Sequence, residues 1–126
     1  MKPNIIKDKS YSFALRIVNV ARWLRSRKEF DLGSQVLRAG TGIGSNVEEA
    51  IAAVSRRDFV AKMGIASKEA RESYYWLRLL RDSGIVPPAR ITPLVNDCLE
   101  LVRILTAILK TTQLGGSRAQ ILSIKN

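Results

Sequence analysis

Residues 37–48 read LRAGTGIGSNVE, with glycines at 40, 42 and 44 and Ser45-Asn46 directly behind them. Such a string is either a phosphate-cradling loop or a helix face on which something packs very close, and the choice decides the fold. A phosphate loop needs a preceding strand, a helix opening behind it, and a G-x-x-x-x-G-K-[ST] or G-x-G-x-x-G spacing. The spacing here is G-x-G-x-G with no lysine following, so neither pattern fits. Val36, Gly40, Ile43, Val47 and Ile51 instead recur every three or four residues, which predicts an amphipathic helix over residues 32–53.

Glycine within a helix costs about 1 kcal/mol relative to alanine, so some gain must offset three of them in so short a span. Close approach of a second helix is one such gain, because Gly40 and Gly44 lie four apart and form a small-xxx-small face. A kink or local unwinding that exposes Ser45 and Asn46 to a ligand is the alternative.

The same periodicity extends in both directions. Phe13, Ile17, Val20 and Leu24 predict a helix over residues 10–28. Phe59, Met63, Ala66, Ala70, Ser73, Leu77 and Leu80 predict one over 56–83, stopped by Gly84. Pro87 and Pro88 mark a turn, and Ile91, Val95, Cys98, Val102, Leu105 and Leu109 carry a fourth helix over 90–112. No alternating strand pattern competes. Sustained steps of four and three mean shallow-angle packing, and short connections make neighbours antiparallel. The expected fold is all-α, an antiparallel up-down-up-down four-helix bundle in a single domain of residues 1–112. Residues 113–126 carry only Ile121, Leu122 and Ile124 as anchors and read as a flexible tail or one docked on a neighbour.

Composition narrows the chemistry. A chain of 126 residues supports one core, and 46% apolar with 25% charged residues is too apolar for a disordered chain. No run of about 18 uncharged apolar residues occurs, and MKPNIIKDKS lacks the apolar centre of a secretion signal, so a cytoplasmic protein without membrane contact is expected. The chain has no histidine and one cysteine, which excludes zinc sites and Ser-His or Cys-His nucleophilic pairs. Neither a metal, a cofactor nor an enzymatic activity is expected. Cys98 lies on an apolar seam and reads as a small buried hydrophobe. Lys and Arg number 21 against 11 Asp and Glu, and a net charge of +10 on so small a domain points to a polyanionic partner.

The stretches QVLRAGTGIGSNVEEA and SRRDFVAKMGIASKEARESYYWLRLLRDSGIV closely resemble the four-helix-bundle proteins encoded in bacterial large-subunit rRNA intervening sequences. Gln35, Arg38, Ile43, Asn46, Glu49 and Ala50 match that family's second-helix pattern. Ser55, Arg56, Arg57, Asp58, Phe59, Lys68, Glu69, Glu72, Tyr75, Trp76 and Leu77 match its third-helix pattern. Gly42 stands where the family usually has serine, so a role for that hydroxyl does not carry over. The resemblance spans about residues 8–112 and extends to the accessory variability determinant of diversity-generating retroelements. It implies a non-enzymatic, homopentameric, nucleic-acid-associated bundle, with a reverse transcriptase as a possible protein partner; many members of the family have no established function.

In an antiparallel bundle the start of the first helix, the turn between the second and third, and the end of the fourth share one pole. Lys2, Lys7, Lys9, Arg56, Arg57, Lys62 and Lys110 gather there against Asp8, Glu48, Glu49 and Asp58, and all of these cations but Lys2 form the candidate nucleic-acid-binding rim. Arg25, Arg27 and Lys28 at the other pole are the alternative. A solvated face that only maintains solubility is the bland reading of both. Tyr74, Tyr75 and Trp76 are consecutive, so they fan over about 200 degrees of helix and cannot all enter one core. A subunit interface or base stacking would cover the remainder, and the first is preferred. Glu69 and Glu72 read as structural partners of Lys62, Lys68 or Arg38, not as a catalytic pair.

Overall fold

The computed structural model describes residues 4–125, apart from the side chain of Arg118. Four long helices follow one another: α1 (Ile5–Ser26), α2 (Phe30–Ile51), α3 (Arg56–Asp82) and α4 (Pro88–Gln113), with a single-turn α5 (Arg118–Leu122) after them. Each long helix packs on its sequence neighbour and α4 returns to α1, so the chain forms the expected antiparallel four-helix bundle. Among the described residues there is no strand.

The helix ends follow from local chemistry. Helix α1 begins five residues ahead of its expected start at residue 10 because the Asn4 side chain accepts the Lys7 backbone N–H, and Ile6 joins the core. Ser55 caps α3 in the same way through Asp58 N–H, and Pro88 opens α4 at a position where its missing N–H costs nothing. Three helices end on a left-handed residue. Gly84 (φ 78°) and Gly115 (φ 83°) fit that geometry, whereas Lys28 (φ 64°) adopts it with a side chain. Glu29 N–H then reaches Leu24 O at 2.9 Å and closes the last turn of α1.

The opening glycines lie within α2 and turn toward two different neighbours. A Cβ on Gly40 would stand 2.6–2.9 Å from three carbons of the fully buried Ile17 on α1, closer than atoms can approach. Gly33 and Gly44 also face α1, but a Cβ added at either would lie 3.5 Å from Leu24 Cβ or the Ser10 backbone, an ordinary contact, so of the expected Gly40 and Gly44 face only Gly40 requires glycine. Gly42 points the other way, and its added Cβ would lie 3.3 Å from the Glu69 side chain on α3. The stretch is therefore regular helix with close packing, neither a loop nor a kink.

The core stripes match the expected ones with a drift. In α4 the buried positions are Ile91, Leu94, Val95, Cys98, Leu101, Ile104, Leu105 and Ile108, while Val102 and Leu109 of the expected line are half-buried. A straight helix turns 3.6 residues per turn and departs from a strict seven-residue line by about 20 degrees per heptad. In α1, Ala21 is buried and Val20 lies at the edge for the same reason. Ser10, Ser73 and Thr112 are buried but donate their hydroxyls to backbone carbonyls of Lys7, Glu69 and Ile108. Beyond Gln113 the chain folds back on its own bundle. Ser117 and Gln120 form a reciprocal cap on α5, which seats Ile121 in the core at 2% exposure.

Gly40→Ala should destabilise the bundle by about 1–3 kcal/mol, since Ile17 has no room to retreat. Gly64→Ala, in the middle of α3 with nothing within 4 Å of the added carbon, should stabilise it by up to about 1 kcal/mol. Denaturant titration measures both, and equal shifts would contradict the close-packing account.

Candidate functional site

At the first pole the start of α1, the α2–α3 turn and the end of α4 converge as expected, but their cations are not equivalent. Lys9 is paired with Glu100 on α4 at 2.8 Å. Arg56 directs its guanidinium at the carbonyls of Thr112 and Gly116, the latter at 3.4 Å. Thr112 lies in the last turn of α4 and Gly116 in the turn that follows it, so Arg56 caps the negative end of that helix and holds the turn leading into α5. Lys7, Arg57, Lys62 and Lys110 form no ion pair among the described residues. Arg57 borders a shallow hollow with Arg56, Val60, Thr112 and Gln113. Lys2, placed at this pole from the sequence, lies outside the described residues.

The second pole holds Arg25, Arg27 and Lys28, none of them in an ion pair among the described residues. Arg27 lies over the Trp23 ring, 4.9 Å from its centroid, and Arg90 of α4 reaches the same ring at 5.7 Å. Arg78 covers the Tyr74 ring at 4.5 Å. Arg81 bonds Asp82 at 2.8 Å, and that hydrogen bond holds the Asp82 carboxyl below the usual carboxylate range and raises the arginine.

The three consecutive aromatics separate as the helix geometry requires. Tyr74 and Trp76 are half-buried against the core, and Tyr75 stands 51% exposed. Trp76 meets Tyr75 edge to face at 5.2 Å and directs its Nε1–H at the Glu72 carboxylate, 3.4 Å away. Arg38 reaches Glu72 at 4.0 Å, and the Glu69 side chain lies over Gly42. Both glutamates thus serve the α2–α3 contact.

A second apolar stripe on α1 was not singled out from the sequence. Tyr11 (59% exposed) and Leu15 (55%) stand on the outer face beside Phe30 (54%) and Leu37 of α2. Val18, Arg22, Arg25, Phe30 and Leu37 line one groove between these helices, and Lys7, Tyr11, Leu15 and Glu48 line another. The signal was available, since Tyr11, Leu15, Val18 and Arg22 are spaced four, three and four residues apart.

Among the described residues no three His, Cys, Asp or Glu side chains gather as a metal site, and no helix is long and apolar enough to cross a membrane. Cys98 is buried, its thiol directed at Ala70 O at 3.4 Å, and burial pushes its pKa up to about 12.

The family model of the 23S rRNA-intervening sequence protein matches residues 2–107. The chain belongs to that family. A solved relative from Bacteroides thetaiotaomicron VPI-5482, described as a protein with unknown function from the S23 ribosomal protein family, is 44% identical. The match covers 85% of this chain and 100% of that one, with a TM-score of 0.81. No curated protein matches the sequence. In this 23S rRNA-intervening sequence protein, α5 lies beyond the matched span, so the Arg56 contact to Gly116 is made to a segment outside it.

Cys98 should resist thiol reagents at neutral pH until the bundle unfolds. Its folded pKa exceeds the unfolded value of 9.0, so the unfolded chain ionises first. The contribution is intact below pH 9.0 and falls by about 1.4 kcal/mol per pH unit toward pH 12. Cys98→Ala should remove that component of the alkaline stability loss measured by denaturant titration; an unchanged slope would contradict it.

Proposed function

We propose that this chain is a non-enzymatic protein that assembles with copies of itself and binds RNA or DNA through its phosphate backbone with little sequence preference. The observation that carries this reading is the uncompensated charge. Four ion pairs form among the described residues, against a net charge of +10, and Lys7, Arg57, Lys62 and Lys110 project from one pole with no carboxylate partner. Cations of this kind neutralise phosphates and release counterions, which is sequence-independent. Every long helix is committed to the bundle, so none protrudes to read base edges in a groove.

Self-association is supported by Tyr11, Leu15, Phe30 and Tyr75, each more than half exposed, and five subunits is the number the family resemblance suggests. Repetition around a ring would join each pole's cations into one positive rim. The same exposed stripe favours a second reading, a scaffold that docks a protein partner such as a reverse transcriptase.

Arg57→Glu with Lys110→Glu should weaken binding of labelled RNA or DNA at least tenfold in fluorescence anisotropy, while light scattering reports an unchanged mass. No binding of single strands, structured RNA or duplex DNA at about 50 mM salt would overturn the nucleic-acid reading and favour the scaffold. Binding indifferent to the charge reversal would move the interface to Arg25, Arg27 and Lys28.

A further inference from the structure

Trp23 packs against the core, but that packing does not account for the two arginines gathered on its ring. Trp23 sits near the end of α1 where α4 begins, half-buried, beside a recess of about 100 Å³ lined by Asn19, Val20, Val86, Arg90 and Ile91. Arg27, just past the end of α1, and Arg90 of α4 are both drawn to its ring. Neither guanidinium has a carboxylate or hydrogen-bond partner among the described residues, although Glu29 and Asp31 lie in the neighbouring turn and helix start. Arginines held on an indole lose their freedom to wander but keep their N–H donors outward, in the fork that fits a phosphate.

We infer that Trp23, Arg27 and Arg90 form a binding site for one unpaired nucleotide of a single strand. Arg90, the more distant of the two at 5.7 Å, gives up the ring to the base at the mouth of the recess and takes the phosphate together with Arg27. The recess is far below the roughly 300 Å³ at which a pocket begins to enclose a small molecule, so it accepts one planar ring and not a whole nucleotide. Three of its walls, Val20, Val86 and Ile91, are aliphatic, and Asn19 is the one lining residue with a side-chain amide, so the ring is held mainly by stacking and base preference is weak. Arg25 and Lys28 at the same end of α1 supply phosphate contacts on either side. A duplex buries its bases and can use the cations alone. The site therefore favours single strands over duplex, which a rim of charges by itself does not.

This inference rests on the nucleic-acid reading, and its test separates the two. In a Trp76→Phe background Trp23 is the chain's remaining tryptophan, so its emission reports the site. A ten-nucleotide oligouridine should quench that emission saturably. A duplex cannot seat a base at the recess and so does not bring a phosphate between the two guanidiniums, being held instead by the flanking cations and the first pole; Arg27→Ala with Arg90→Ala should therefore weaken the single strand about tenfold and a hairpin duplex by less than about twofold in anisotropy. Both arginines are exposed, so circular dichroism should report an intact bundle, and the anisotropy arm in the natural background decides should Trp76→Phe fail to fold. Nucleic acid bound without quenching, or equal losses for strand and duplex, would overturn this site and leave the proposed function standing. Quenching by uridine monophosphate but not by the strand would overturn the assignment to nucleic acid strands. No binding of any nucleic acid would overturn both.

Discussion

The contact on which the structure turns is Ile17 of α1 lying where a side chain of Gly40 would be. It sets the separation of α1 and α2, while beside Gly33 and Gly44 the same seam continues at distances that an added Cβ would meet as ordinary contact. With α1 drawn onto α2, its contact with α4 is the least extensive of the four neighbouring pairs. That remaining seam is closed by charge, through Lys9 with Glu100 and Arg16 with Asp97. The Trp23 recess lies at its far end. A helix-helix approach encoded at Gly40 thus determines where the molecule is tight and where it is open.

What remains for function is the outside. The one thiol is buried and held protonated, and no buried side-chain nitrogen or oxygen among the described residues lacks a partner. The interior is complete and chemically quiet. Cations that no carboxylate neutralises are concentrated at the two ends, and apolar residues that no element covers stand along the α1–α2 face. Charge at the poles and an apolar flank are the features from which we propose self-assembly and phosphate binding.

The fold was legible in the sequence because helical periodicity is a local property. Phe59 through Leu80 repeat in steps of three and four, and all seven residues of that line are buried. Edges were less legible, since Asn4 and Ser117 start helices through caps that apolar spacing does not register. The site was legible only as a census of charge. That Arg56 would turn back onto Thr112 and Gly116, and Lys9 onto Glu100, depends on which side chains meet across the bundle. Neighbours in sequence gave no hint of either. Arg27 and Arg90 lie far apart in the chain and converge on Trp23 only because α1 ends where α4 begins.

The most direct test of the account is the salt dependence of nucleic-acid affinity, followed by anisotropy between about 50 and 200 mM KCl. If Lys7, Arg57, Lys62 and Lys110 each neutralise one phosphate, the log-log slope should be at least as steep as roughly −2.8 for single strands and −3.6 for duplex. Affinity that persists with a slope near zero would contradict a phosphate-tracking surface and with it the central claim.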